Sequence, residues 1–155
     1  MKDRIFTDLK GEQLIVRHRK SAVFFHREAD LTKENRYKSP YSDGEYVEQS
    51  ELVRKYYFDE EGFKELLGYL ETVALESWKG FEPKDADSMG ADYYEYYDTE
   101  FDNNGYLSIN SKYLRVEAPN QLKENGSCIR MYKFNKRKFE SFIYDFRKQY
   151  TLQEV

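Results

Sequence analysis

The C-terminal part of the chain carries the spacing that most restricts the fold. Five apolar side chains recur there at helical intervals: Phe139, Phe142, Ile143, Phe146 and Tyr150. This spacing places them on one stripe of an α-helix. Asn135 stands just before the stripe, where an N-cap residue is favoured. A helix with one aromatic stripe has to bury it against another element, so the rest of the chain must supply a matching apolar surface.

A second helix is predicted after Asp59, which suits an N-cap. Glu60 and Glu61 follow at the end where the helix dipole favours negative charge. The apolar residues that then share one face are Phe63, Leu66, Leu67, Leu70, Val73 and Ala74. Gly80 is predicted to end this helix as the left-handed residue after its C-cap.

Short β-branched and aromatic runs occupy most of the remaining chain. Strands are predicted over 4–9, 13–20, 22–27, 51–58, 93–101, 106–109, 112–118 and 127–134. A polar loop is predicted over 28–46, a type I′ hairpin turn at Asn104-Gly105, and a second turn at Asn125-Gly126.

Strands, a helix, more strands and a final helix predict an α+β fold in one globular domain, residues 1–155. The expected architecture is a mainly antiparallel β-sheet with two amphipathic helices packed on one face. The predicted core contains Leu14, Val16, Val23, Phe63, Leu66, Leu67, Leu70, Phe139, Phe142, Ile143 and Phe146.

Sequence patterns of common cofactor and metal sites are missing. The chain has no P-loop, no glycine-rich dinucleotide fingerprint, no HExxH and no CxxC pair. Glu100, Asp102, Asn104 and Gly105 approach the pattern of a calcium loop, but its twelfth position holds Ser111 instead of a bidentate Glu. A hairpin turn explains these residues without an ion, so we expect no metal and no cofactor.

Two histidines, His18 and His26, lie on neighbouring predicted strands. Histidines that pack in strands are commoner than catalytic pairs, so we assign no catalytic residue and expect a protein that is not an enzyme.

The longest apolar run is four residues, whereas a membrane-spanning helix needs about 20. The N-terminus resembles no secretory signal, and the single Cys128 forms no internal disulfide. We therefore expect a cytoplasmic protein with no membrane partner.

Charge is distributed unevenly along the chain. The net charge is −4, yet residues 81–105 hold eight acidic and one basic residue. Residues 1–28 carry a net +3 and residues 106–155 a net +5. An acidic segment thus lies between two basic ends.

Carboxylates alternate with aromatic rings in this acidic segment. We predict a partner-binding surface formed by Asp92, Tyr93, Tyr94, Glu95, Tyr96, Tyr97, Asp98, Glu100 and Asp102. The acids would attract Lys and Arg of a partner and so steer the encounter of the two proteins, and the Tyr rings would supply rigid contact area. The alternative is a solvated loop and an edge strand whose charges prevent aggregation.

A basic cluster precedes and enters the last helix: Lys133, Lys136, Arg137 and Lys138. Cations in a first helical turn oppose the helix dipole, so helix stability alone does not explain them. Pairing with the acidic segment inside the chain is the interpretation we favour. Contact with a phosphate or an acidic partner is the alternative.

In size, net charge and composition the chain resembles small acidic inhibitors made by phages and mobile elements, including anti-CRISPR proteins, and immunity proteins that block nuclease toxins. The resemblance includes no shared motif and assigns no site residue. It implies an inhibitor that imitates nucleic acid and occupies a basic groove on a partner, such as a nuclease or another nucleic-acid enzyme.

Two alternatives remain open. The first is a nucleic-acid-binding module, in which Tyr106 and Tyr113 stack on bases. Its basic residues would come from both ends of the chain: Arg17, Arg19, Lys20, Arg27, Lys133, Lys136, Arg137, Lys138, Arg147 and Lys148. The overall acidity argues against direct nucleic-acid binding. The second is a small enzyme that uses His18 or His26 with acids from residues 92–102.

Overall fold

The computed structural model describes residues 2–30, 36–38, 45–47, 53–99, 103–117, 120–122 and 127–154. Its strands are β1 (Lys2–Thr7), β2 (Gln13–Arg19), β3 (Ala22–Asp30), β4 (Arg36–Lys38), β5 (Glu45–Val47), β6 (Arg54–Tyr56), β7 (Glu95–Asp98), β8 (Asn103–Ile109), β9 (Leu114–Glu117), β10 (Asn120–Leu122) and β11 (Ser127–Phe134). The helices are α1 (Glu60–Ser77) and α2 (Lys136–Glu154), with a short 3-10 helix at Met89–Ala91. The predicted α+β class is confirmed.

The described strands form two larger antiparallel sheets instead of one. The first has five strands in the order β1-β2-β3-β11-β10, and the second has four in the order β6-β9-β8-β7. Strands β4 and β5 pair with each other as a hairpin. Both larger sheets join strands that are distant in sequence, such as β3 with β11 and β6 with β9.

Both helices pack on one face of the five-stranded sheet, as predicted. Pairing places Phe25 opposite Tyr132, so their side chains share a face. The ring of Phe142 on α2 lies 5.7 Å from that of Phe25, and the ring of Tyr69 on α1 lies 5.5 Å from that of Phe6 on β1. The buried face of the four-stranded sheet joins the same apolar cluster.

All of the residues predicted for the core are buried. Both predicted N-caps are also confirmed. The Asp59 side chain accepts a hydrogen bond from the N–H of Gly62 at 2.8 Å, and the Asn135 side chain accepts one from the N–H of Lys138 at 2.9 Å. The periodic signals therefore identified both helices and the faces that they bury.

One turn prediction and one helix-end prediction are wrong. Asn104 and Gly105 lie inside β8, where they pair with Tyr97 and Tyr96 of β7, so cross-strand pairing overrides their preference for a turn. α1 ends at Ser77, earlier than predicted, because Trp78 leaves the helix in an extended conformation and packs 5.5 Å from the ring of Phe139. Gly80 does adopt a positive φ of 71°, but only after the cap.

The loop predicted over 28–46 contains strand residues. β3 continues to Asp30 because residues 27–30 pair with residues 127–130 of β11. β4 and the first two residues of β5 also fall within this range. Residues 31–35 and 39–44 of this predicted loop, and the turn predicted at Asn125-Gly126, lie outside the described residues.

A buried carboxylate joins the two larger sheets. Asp8 follows β1 and is 6% exposed. Its Oδ1 accepts hydrogen bonds from the backbone N–H of Lys10 at 2.9 Å and of Glu12 at 2.8 Å, and its Oδ2 accepts one from Tyr57 at 2.8 Å. The N–H of Leu9 donates to the carbonyl of Tyr57 at 2.8 Å. Because Tyr57 directly follows β6, Asp8 fixes the β1–β2 turn against the second sheet.

In the part of the chain that the structure describes, neither α1 nor α2 combines the length and the apolar character that a membrane-spanning helix requires.

Replacing Phe142 with Ala tests the aromatic core. We expect the free energy of unfolding to fall by about 3–5 kcal/mol, because the cavity left by a buried ring cannot close fully. Leu75→Ala on α1 is the control, since Leu75 is 70% exposed and should change stability by no more than about 0.5 kcal/mol. Denaturant unfolding measures both, and an unchanged midpoint for Phe142→Ala would contradict the assigned helix face.

Asp8→Asn tests the junction between the sheets. The amide replaces one acceptor oxygen with an NH2 donor that faces a backbone N–H. We therefore expect the free energy of unfolding to fall by about 1–3 kcal/mol. Asp3→Asn is the matched control, because Asp3 makes an exposed ion pair with Arg17 that is worth about 0–1 kcal/mol. Equal losses in denaturant unfolding would show that Asp8 has no special structural role.

Candidate functional site

The acidic, Tyr-rich segment divides into an inner and an outer set of side chains. Tyr93 is 8% exposed and Asp98 is 4% exposed, and Tyr96 is half-buried. Tyr94 and Tyr97 project outward, with 57% and 48% of their surface exposed. Three of the seven described residues of the predicted binding surface, Tyr93, Tyr96 and Asp98, are therefore directed inward and serve packing.

The carboxylates of this segment also differ in position. Glu95 is exposed on β7. Asp92 is half-buried, and its Oδ1 accepts a hydrogen bond from the backbone N–H of Tyr94 at 2.9 Å. Glu100 and Asp102 lie outside the described residues. Glu95 is thus the exposed acid of β7, and Asp92 shapes the turn that leads into the strand.

Polar side chains of α2 hold the start of the segment in place. The hydroxyl of Ser141 donates to the carbonyl of Ala91 at 2.8 Å and accepts from the N–H of Tyr93 at 3.3 Å. The hydroxyl of Tyr93 donates to Asp145 Oδ2 at 2.9 Å, and the hydroxyl of Tyr132 on β11 donates to the carbonyl of Tyr93. Tyr93 is therefore fixed through its ring, its hydroxyl and its backbone.

Tyr93 and Asp145 influence each other's protonation. Burial raises the pKa of Tyr93 well above its ordinary value, and the Asp145 carboxylate raises it further. Burial also raises the pKa of Asp145, while the hydrogen bond from Tyr93 opposes that shift. Tyr93 therefore stays protonated at neutral pH and acts as a structural donor and not as a base.

The part of the acidic segment that precedes its tyrosines, residues 82–87, is attached to the same helix. Glu140 is 3% exposed, and its Oε2 accepts a hydrogen bond from the backbone N–H of Glu82 at 2.9 Å. The guanidinium of Arg137 donates to the carbonyls of Lys84 and Asp85 and lies 3.4 Å from an Asp87 carboxylate oxygen. α2 thus supports the chain from residue 82 to residue 95.

The structure separates the four residues of the predicted basic cluster. Lys138 Nζ donates to the carbonyl of Glu95 at 2.6 Å, and burial lowers its pKa although the neighbouring acids oppose this. Lys136 lies beside Gly80, and Lys133 is opposite Phe24 on the other face of the first sheet. Arg137 and Lys138 therefore contact the acidic segment of their own chain, as the internal-pairing interpretation predicts.

The outer side of β7 and β8 forms a continuous surface of rings and acids. Glu95 pairs with Tyr106, and Tyr106 pairs with Glu117 of β9, so these three side chains share a face. The ring of Tyr94 lies 5.6 Å from that of Tyr106, and Tyr97 is on the same face as Glu95. We name these five residues, Tyr94, Glu95, Tyr97, Tyr106 and Glu117, the outer tyrosine surface.

Three of the seven large exposed apolar residues of the described chain lie within nine positions of the sequence, from Met89 to Tyr97. Met89 is 93% exposed and precedes Tyr94 and Tyr97 by a few residues. The other large exposed apolar residues of the described chain are Ile5, Leu9, Leu75 and Tyr144. Scattered exposed apolar residues are normal, but exposed aromatic rings close together often mark an interaction site.

The two histidines cannot act as a pair. His18 is opposite Val23 and packs toward α1, where its ring lies 6.3 Å from that of Tyr69. His26 is opposite Ile15, on the other face of the same sheet. They lie on neighbouring strands, as expected, but they are buried on opposite sides.

The basic residues named for nucleic-acid binding are spread over several faces. Arg17 binds Asp3 at 2.8 Å on the sheet face away from the helices, whereas Arg147 of α2 binds Glu71 of α1 at 2.8 Å.

Sequence reasoning missed the residues that organise the site, Glu140 and Ser141. Their only signal was a polar pair placed directly between two core phenylalanines.

Comparisons with protein-family models, with curated proteins and with solved structures found no match for this chain.

Tyr93→Phe tests how firmly α2 holds the segment. The change removes the hydroxyl that donates to Asp145, so the partly buried Asp145 carboxylate loses a hydrogen-bond partner. We therefore expect the free energy of unfolding to fall by about 1–2 kcal/mol. Tyr94→Phe is the matched control, because its exposed ring should tolerate the change within about 0.5 kcal/mol. Equal effects on denaturant unfolding would show that the Tyr93 hydroxyl does not anchor the segment.

Proposed function

We propose that this protein is a non-enzymatic binding protein that inhibits a partner by covering a basic, nucleic-acid-binding surface. The outer tyrosine surface is the contact region. We further propose that it acts in the cytoplasm and that the partner is a nuclease or another enzyme with a basic groove. The observation that carries the proposal is the display of exposed Tyr rings and carboxylates on one sheet face.

The rings suit a protein partner. Tyr94 and Tyr97 are exposed although their neighbours Tyr93 and Tyr96 are packed inward. Tyr provides a large contact area with a polar end at a low cost in side-chain entropy, and it is enriched among residues that dominate binding energy. An Arg stacked on either ring would add about 0.5–2 kcal/mol of cation–π attraction.

The charge suits a basic partner. Glu95 and Glu117 lie within the surface, and exposed Asp85 and Asp87 lie in the loop before it. Carboxylates on a partner-facing surface accelerate association with Lys and Arg groups, and they compete for groups that otherwise hold phosphates. Lys138 neutralises part of this charge, but its ammonium is directed at the Glu95 carbonyl.

The support from α2 favours binding further. Contacts from Arg137, Glu140, Ser141 and Asp145 fix the segment before any partner arrives. A surface that is already ordered loses less conformational entropy on association. This rigid support favours a binding surface over a solvated loop.

Two variants separate steering from anchoring. Glu95→Lys should slow association, because it removes a steering charge and adds repulsion. Tyr94→Ala combined with Tyr97→Ala should speed dissociation. If either ring is an anchor, the binding free energy should weaken by about 2 kcal/mol or more. Affinity capture from cells of the source organism with mass spectrometry identifies the partner, and surface plasmon resonance then gives both rates.

Matched controls lie on α1. Glu76→Lys makes the same charge change and Leu75→Ala truncates an exposed apolar side chain, both away from the surface. A basic nucleic-acid enzyme that is captured by wild type and by both controls, lost by the surface variants, and blocked by the wild-type protein would support the proposal. Wild-type rates for both surface variants would refute the site, and capture of nucleic acid instead would favour a nucleic-acid-binding module.

A further inference from the structure

A cavity at the junction of the two sheets is lined mainly by cations. It has a volume of about 500 Å³, within the range of small-molecule sites, and its wall includes Lys10, Glu12, Arg54, Lys55, Tyr57 and Arg115. Four cations thus face one acid. That acid, Glu12, already binds Arg54 at 2.8 Å.

Two of these cations are directly opposite each other. Pairing of β6 with β9 places Lys55 against Arg115, on the outward face of the sheet. Like charges in this position repel and weaken a sheet. Lys on an edge strand such as β6 often prevents unwanted pairing, but that role explains neither Arg115 on the interior strand β9 nor Lys10 from the other sheet.

Aromatic rings hold two of the ammonium groups in place. Lys10 Nζ lies 4.1 Å from the ring centre of Tyr57, and Lys55 Nζ lies 4.9 Å from that of Tyr113. The two rings are in contact, with centres 5.5 Å apart. Among the described residues, no carboxylate forms an ion pair with Lys10 or Lys55. Their charges are therefore positioned but not neutralised.

Asp8 completes the arrangement from outside the cavity. Its carboxylate binds the backbone N–H groups of Lys10 and Tyr57, so it fixes the turn that carries Lys10 against the residue that follows β6. The cations thus come from both sheets and are held at a rigid junction.

Another basic cavity has a structural explanation. It lies at the end of α1 and includes Lys2, Arg19 and Lys20. α1 has no basic residue in its last turn, so these cations complement the negative end of its dipole. No described helix ends at the cavity beside β6, so its cations lack such a role.

We propose that the cavity beside β6 binds a phosphate group, with Lys10, Lys55 and Arg115 as its ligands. An oxyanion between these side chains would relieve the repulsion between Lys55 and Arg115. It would also accept charge-assisted hydrogen bonds from ammonium and guanidinium groups. The phosphate belongs either to a free mononucleotide or to the backbone of a single-stranded nucleic acid. This site adjoins the outer tyrosine surface where Arg115 lies 3.6 Å from Glu117, but it does not depend on the proposed inhibition.

The probes are inorganic phosphate, AMP and a short thymidine oligonucleotide, titrated into the isotope-labelled full chain and followed by NMR. We expect saturable shifts at the backbone amides of Lys10, Lys55 and Arg115. Lys10→Gln and Lys55→Gln should each weaken binding about tenfold, as expected for a lost charge-assisted hydrogen bond. Lys64→Gln on α1 is the control, because its exposed cation lies outside the cavity.

Glu12→Gln gives a result of opposite sign. It removes the acid from the cavity wall together with its ion pair to Arg54, so we expect tighter phosphate binding, an outcome that a poorly folded variant would not produce. Tighter binding of AMP than of the oligonucleotide identifies a free nucleotide, and the reverse with a steep salt dependence identifies a nucleic-acid backbone. No saturable binding of any probe at millimolar concentration, or equal losses with Lys64→Gln, would overturn the proposal.

Discussion

The packing of Phe142 is the contact on which the other elements depend. Its ring meets Phe25 and Phe134 on the five-stranded sheet at 5.7 and 5.4 Å, and it meets Tyr93 at 5.2 Å. One side chain of α2 thus joins the helix to the sheet and to the start of the acidic segment. Edge-to-face and offset contacts of this kind add to the energy of burial, so these elements should lose their positions together if the ring is removed.

The same helix carries a second, polar set of contacts beside the aromatic stripe. Glu140, Ser141 and Asp145 satisfy backbone and side-chain groups of residues 82–93. Arg137 and Lys138 add contacts to carbonyls of the same segment. Cations in a first helical turn are unfavourable for the dipole, and these bonds supply the reason for their presence. The acidic segment is therefore held rigidly, with alternate side chains directed outward.

Charge is divided along the outer face of the four-stranded sheet. Lys55 and Arg115 occupy one cross-strand row, and Glu117 and Glu95 occupy the next with Tyr106 between them. Arg115 and Glu117 meet at the boundary at 3.6 Å. Such a face presents a cationic end and an anionic end, so the proposed phosphate site and the outer tyrosine surface address ligands of opposite charge.

The sequence by itself determined both helices, their N-caps, eleven of the core residues and the α+β class, because apolar periodicity and capping are local properties of the chain. It also identified an acidic, Tyr-rich segment, but not which of its rings point outward. Tertiary structure decided that Tyr93 and Asp98 are buried while Tyr94 is exposed, and that Asn104 and Gly105 extend a strand instead of turning. It alone brought Lys10 beside β6, through the hydrogen bonds of Asp8. The burial of Tyr93 and the position of Lys10 depend on contacts between residues far apart in the chain. The register of β7 with β8 depends on cross-strand pairing, which the turn preference of Asn104-Gly105 does not encode.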